Sequence, residues 1–376
     1  MRSPIVVPNN FGDTWAMAWA DDGNLYSPSD DTLGFGVPAF FTREQVQLFQ
    51  SDFARFAKQL SQHQKDEFEY APIAFNRIEG DDPRNLRGVT VNRMPDYRAQ
   101  DRYRVFLDDP SRMPADWETW KSSGCAFVDG ALYWAIARDY DAAAAATVRG
   151  LRQSVADASL IKSIDYGETW TRSAEENLQY PMFPGSHFST PYFVDYGRTP
   201  VSVDGADRYV YAVSNNGVWD NGDTFILGRV QRSRIARLIG SDWEFYTGGD
   251  GLADSAWTQD VTRATPILSS PGRLGYTGAS YLPGRGCYLL ISWYYPAGSG
   301  FLKGASTTTM WDFYEARKPW GPWSLIGSHA WSPQGYYSPV VCPKFQSRDR
   351  IYVVTAGDFH NLWDHYHLTL VPVELL

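Results

Sequence analysis

The chain has 376 residues, 15% of them aromatic and 20% charged, with 32 glycines, 23 prolines and a net charge of −9. This composition fits many short strands joined by tight turns and excludes a fold built on long helices; the acidity, with no Lys/Arg run longer than two residues, excludes the electrostatic footprint of a nucleic-acid binder. No apolar run nears the roughly 18 residues that span a bilayer, so no membrane partner is expected. The start, MRSPIVVPNN, lacks the long apolar region of a signal peptide. A soluble protein is expected, cytoplasmic as written, or secreted or periplasmic if a leader has been removed.

In chain order, a short apolar strand, a turn and a second strand rich in Tyr, Trp or Val recur five times. The first copy, TWAMAWADDGNLYSPSDD, starts at Thr14. Behind it REQVQLFQSDFARFAKQLSQHQ, about residues 43–63, sets Val46, Phe49, Phe53, Phe56 and Leu60 at helical spacing and predicts one amphipathic helix. GVTVNRM from Gly88 reads as an outer strand. The second copy is GCAFVDGALYWAIARD from Gly124, followed by SIDYGETW at 163–170. That octet fits the Asp-box hairpin pattern, in which Asp165 accepts backbone N–H bonds, Gly167 takes a positive φ and Trp170 tucks against the sheet. The later copies start at Thr190 (TPYFVDYGRTPVSVDGADRYVYAVSNN), Tyr276 (YTGASYLPGRGCYLLISWYY) and Ser338 (SPVVCPKFQSRDRIYVVTAGDF). Weaker box-like runs at Ser241 and at 319–323 place Trp243 and Trp323 where Trp170 stands, for packing between repeats. Cys125, Cys287 and Cys342 lie in predicted strands without metal-ligand spacing and read as small buried hydrophobes.

A five-fold repeat of this kind predicts an all-β, five-bladed β-propeller, one domain over 1–376 with the helix as an insertion, its ring closed by a last strand that joins the first blade. In such a ring the innermost strand of each blade starts at the face where the antiparallel second strand ends. Residues flanking those points should converge on a central funnel: Asp13 with Asp30 and Asp31; Ser122 and Ser123 with Arg138 and Asp139; His187 with Asn215, Asn216 and Asp220; Tyr276 with Trp293 and Tyr294; Tyr336 and Tyr337 with Asp358 and His360. Carboxylates, imidazoles, a guanidinium and aromatic rings together suit a sugar, with rings against C–H faces and acids or amides on hydroxyl pairs.

GDTWAMAWADDGNLY from Gly12, WKSSGCAFVDGALYW from Trp120, SIDYGETW and YEARKPWGPWSLI from Tyr314 carry a likeness to the five-bladed propeller family of unknown-function domains related to endo-D-arabinanases. The resemblance implies a carbohydrate-active propeller acting on a polysaccharide or oligosaccharide. It also implies a first-blade carboxylate, here Asp13, as base or nucleophile. No Glu stands at a funnel position, so the partner acid falls among Asp30, Asp31, Asp139, Asp220 and Asp358.

Glycoside hydrolysis by two carboxylates is the leading reading, with Asp13 as base or nucleophile and Asp220 or Asp31 as acid. A polysaccharide lyase is the alternative: His187 with Tyr276 or Tyr336 would move the protons and Arg138 would hold a uronate carboxylate. A carbohydrate-binding propeller without turnover is the third. Asp30, Asp139, Asn215, Trp293, Asp358 and His360 complete the expected sugar contacts. No cofactor is expected, with room only for a structural ion at the ring centre, and the sequence leaves the oligomeric state open.

Overall fold

The computed structural model describes residues 1–36, 44–45, 48, 53–97, 118–140, 154–172, 181–198, 202–296, 308–332, 335–357 and 367–375. Five antiparallel sheets follow one another as the blades of a propeller. Each repeat read from the sequence supplies the two innermost strands of one blade. In blade one Asn10–Asp13 and Ala18–Trp19 pair with Leu25–Phe35, which leads outward to Ala71–Glu79 and Arg87–Asn92. Blade two runs Glu118–Val128, Ala131–Tyr140 and Ser154–Ser163. Blade three runs Tyr192–Phe193, Tyr209–Asn215, Thr224–Gln231, Trp243–Tyr246 and Trp257–Thr258. Blade four runs Ala279–Leu282, Cys287–Tyr294, Thr309–Ala316 and Ser324–Trp331.

Blade five departs from expectation. Val340–Val341, Arg350–Thr355 and Thr369–Glu374 pair in order, and its outer strand is the N-terminal pair Ile5–Val6, with Ile5 opposite Leu370. The ring is therefore closed by the first strand joining the last blade, the reverse of the closure expected. Either way a strand edge that would stay open is paired.

Tight turns set these hairpins. Asp129 (φ 49°) and Gly130 (φ 83°) form the two-residue, left-handed connection that matches strand twist. Large rings then fill the wedges between blades: Trp170 stands edge-on to Phe75 of blade one and Trp134 of blade two, at 4.7 and 5.4 Å, while Trp243 packs against Phe183 and Phe188. Within the turn at 163–170 the Asp165 carboxylate accepts from Thr169 N and Oγ1 at 2.9 and 2.6 Å, and Gly167 has φ 96°. All three cysteines are free and buried.

Where one helix was expected, two short ones are described, Phe53–Gln59 and Gln62–Asp66. Ser61 breaks the run: its hydroxyl accepts from Gln64 N at 3.2 Å and the Gln64 side chain accepts from Ser61 N at 3.0 Å, a reciprocal cap that starts a new helix. Among the described residues, no helix is long and apolar enough to cross a membrane.

Inner strands of neighbouring blades are stitched directly. Gly124 N donates to Pro191 O at 2.8 Å between blades two and three, and Asp195 N donates to Ala279 O at 2.8 Å between three and four. Thr277 Oγ1 donates to Pro339 O at 2.6 Å between four and five. Burial pushes the Asp195 carboxyl up to about 6, against the lowering effect of the Gly197 N–H it accepts. A raised carboxyl favours the protonated fold, so its contribution is complete below the ordinary value of 3.8 and is lost as pH rises through about 6. Asp195→Asn should remove that loss. The variant's melting temperature, equal to wild type near pH 4, should exceed it by pH 7; a difference constant across this range would refute the assignment.

Candidate functional site

The starts of the inner strands and the ends of the second strands meet at the ring axis. Asp13 lies opposite Asp30 across the first hairpin, where the register shifts between Phe11 and Asp13. The Asp13 side chain is 6% exposed and accepts from two hydroxyls: Thr14 Oγ1 at 3.1 Å on Oδ1, and the Tyr337 phenol of blade five in a short bond on Oδ2. Thr14 Oγ1 lies 3.0 Å from the Tyr276 hydroxyl of blade four. Tyr192 of blade three reaches Ser338 Oγ of blade five at 3.4 Å, and its ring lies 5.5 Å from that of Tyr276. Four blades thus meet around Asp13.

The fifth enters through Asp30. Its two oxygens accept the Ser122 N–H of blade two at 3.1 and 3.0 Å. Burial, reinforced by the charge of Asp13 and opposed by Lys121 and the Ser122 N–H, holds the Asp30 carboxyl well above the usual carboxylate range. Asp31 has φ 43° and no partner in the ladder between Asp30 and Thr32. That twist sends it away from Asp30, and its Oδ2 takes the Lys121 ammonium at 2.5 Å. Backbone strain gathers here: Thr14 (φ 56°), Asp31, Tyr336 (φ 48°) and Ser338 (φ 55°) are all left-handed. For β-branched Thr14 that conformation is a true outlier of the kind retained at functional sites.

Asp220, 4% exposed, sits on the link between Tyr209–Asn215 and Thr224–Gln231, beside Trp219, whose ring centre is 3.9 Å from that of Tyr276. Burial first, then the charges of Asp220 and Asp13, raise the Tyr295 phenol well above its ordinary range. Both carboxylates therefore act on one phenol, whose main chain is fixed by Asn221: its Nδ2 donates to Tyr295 O at 2.7 Å and its Oδ1 accepts from Tyr295 N at 2.9 Å.

Other expected site residues lie elsewhere. Trp293 is 1% exposed and donates its indole N–H to Tyr276 O at 2.9 Å, so it supports the cluster from behind and offers no open ring face. Asn215 donates to Val218 O at 2.6 Å and Leu274 O at 3.1 Å and accepts from Thr190 and Gly217, which fixes a turn. Tyr336 stacks on Trp331 with ring centres 4.1 Å apart. His187 is exposed, in the turn before Phe188. The side chains of Arg138 and Asp139, and Asp358 and His360 entirely, lie outside the described residues. Lys121, Tyr192 and Tyr295 escaped sequence reasoning. Lys121 lies in the strand Glu118–Val128 next to Ser122, where alternation is the signal that could have found it.

No protein-family model and no curated protein matches the sequence. Among solved structures, the chain is similar to a Bacteroides ovatus protein described provisionally as a hydrolase, at 12% identity and a TM-score of 0.50, over 98% of this chain and 86% of that one. This likeness is one of fold. Further matches include the RS223 β-xylosidase (11% identity, TM-score 0.49, 100% of this chain and 96% of that one) and Bacillus subtilis levansucrase (9%, 0.45, 98% and 84%).

Proposed function

We propose that the protein is a glycoside hydrolase that cleaves a polysaccharide or oligosaccharide with a carboxylate pair at the ring axis. What supports this reading is that Asp13 and Asp220, from different blades and both buried, flank Tyr276: the hydroxyl of Thr14, which donates to Asp13, lies 3.0 Å from the Tyr276 hydroxyl, and the ring centre of Trp219, next to Asp220, lies 3.9 Å from that of Tyr276. Glycosidic bond cleavage needs one carboxyl to protonate the leaving oxygen while the other activates water or attacks the anomeric carbon. Asp13, oriented by the Thr14 and Tyr337 hydroxyls, is the base or nucleophile. Asp220 is the acid. It is 4% exposed and adjoins Trp219, away from bulk water. Asp30, held toward its protonated form, sits beside Asp13 without adding a second full negative charge.

The test is a screen of polysaccharides, D-arabinan and uronate-containing gums included, together with aryl glycosides, following reducing ends and the ultraviolet absorbance of an unsaturated uronate in parallel. Reducing ends without absorbance are the expected result. Both signals together would establish β-elimination and overturn the proposal, and silence in both would leave a sugar-binding module without turnover.

A further inference from the structure

A concave site opens beside Tyr192, lined by none of Asp13, Asp30 and Asp220. It is a cavity of about 280 Å³, walled by inner strands of all five blades. Tyr192 lines the cavity, and its hydroxyl lies 3.4 Å from Ser338 Oγ in the Asp13 cluster, so this one residue adjoins both. Near the axis the walls are small: Ala16, Ala18, Gly124, Gly278 and Ala279. Toward the surface they become aromatic, with Trp19, Phe127, Tyr196 and Tyr209 each partly exposed.

The two guanidinium groups of the lining are already engaged. Arg232 Nη2 meets Asp129 Oδ1 at 2.7 Å. Arg198 Nη2 donates to Asp21 O at 2.5 Å and its guanidinium stands 5.9 Å from the centre of the Trp19 ring. An anionic ligand would have to break these contacts and approach Asp129 and Asp195, which line the same cavity. An apolar ligand would strip water from the remaining lone pairs of the Asp129 and Asp195 carboxylates, at a cost of about 1–3 kcal/mol for each group stranded. A neutral ring bearing hydroxyls avoids both penalties: its C–H faces suit the aromatic walls, and its hydroxyl pairs suit the Asp195 carboxylate and main-chain groups. The volume falls just below the roughly 300–1,000 Å³ of pockets for drug-sized ligands, which limits the occupant to a monosaccharide or a small oligosaccharide end.

We infer that this cavity is a second, non-catalytic binding site for a small neutral saccharide, with Tyr192 adjoining both it and the Asp13 cluster. The inference concerns binding alone and does not rest on the hydrolase reading.

The experiment is isothermal titration of the full chain with D-xylose, D-arabinose, D-galactose, xylobiose and sucrose, backed by saturation-transfer NMR. At least one sugar should bind, and its binding should be one-to-one. It should weaken at least tenfold in Trp19→Ala, which removes a ring from the mouth, and in Ala126→Trp, which fills the cavity from blade two; circular dichroism confirms that each variant is folded. Absence of binding by every sugar would overturn the inference. So would binding that persists within twofold in both cavity variants, since that places the sugar outside this cavity. A negative hydrolysis screen with this binding intact would count against the proposed activity only.

Discussion

Replacing Asp13 by asparagine should reduce turnover by about a thousandfold or more while leaving substrate affinity within a few-fold of wild type. The amide matches the carboxylate in size, and its Oδ1 can still accept from Thr14 Oγ1. The Tyr337 hydroxyl, which donates to Asp13 Oδ2, can reverse and accept from the new amide N–H, so the junction of blades one and five keeps its geometry. What is lost is the charge that takes the proton or attacks carbon. General base catalysis is typically worth 10²–10⁴-fold, about 3–5 kcal/mol of barrier. Steady-state kinetics on the substrate found by screening, with binding measured separately, provides the check; activity within threefold of wild type would remove Asp13 from the chemistry.

A comparable effect, on stability, is expected from Gly124→Ala. The glycine is not needed for its backbone angles. A Cβ there would lie 2.5 Å from Tyr192 Cα and 2.8 Å from both Phe193 N and Pro191 O. All three are backbone atoms, so no side-chain rotation relieves the clash, and blades two and three would have to part and lose the Gly124 N–H to Pro191 bond. Overpacking of this kind costs about 1–3 kcal/mol, and more where backbone must move. A loss of about 3 kcal/mol should appear in the urea midpoint. Gly327→Ala is the control, because a Cβ there meets nothing within 4 Å and should change little. Equal behaviour of the two variants would mean that the inner strands are not packed as described.

The architecture was legible because turns and alternation are local signals. Each Gly- or Asp-bearing turn between apolar runs did separate the two innermost strands of a blade, including Asp129–Gly130 and the PGRG run between Leu282 and Cys287. The closing strand was not legible, since Ile5–Val6 is two residues long and its partner lies at the far end of the chain. The strand-end rule brought Asp13, Asp30 and Tyr276 together because pairing geometry alone fixes those positions. It misjudged Trp293, which lies at the correct height but points behind the cluster, and it favoured Tyr336 over Tyr337. Both lie in the loop ahead of Val340–Val341, where the left-handed Tyr336 (φ 48°) turns its ring onto Trp331 while Tyr337 reaches Asp13. His187 was misread for a different reason: it sits in a loop, where neither periodicity nor register constrains direction.

The pairing of Ile5 with Leu370 also sets an order of events in folding. Blades one to four can each assemble from contiguous sequence, but the last sheet needs both extremes of the chain at once, so during synthesis it stays incomplete until residues 369–374 have emerged. Contacts of such long separation in sequence form late, because the entropy of closing the intervening loop must be met before they contribute. Until then blades one and five lack their shared seam, and the bond between Asp13 and Tyr337 cannot form. Catalytic competence and completion of the fold should therefore arrive in the same kinetic phase.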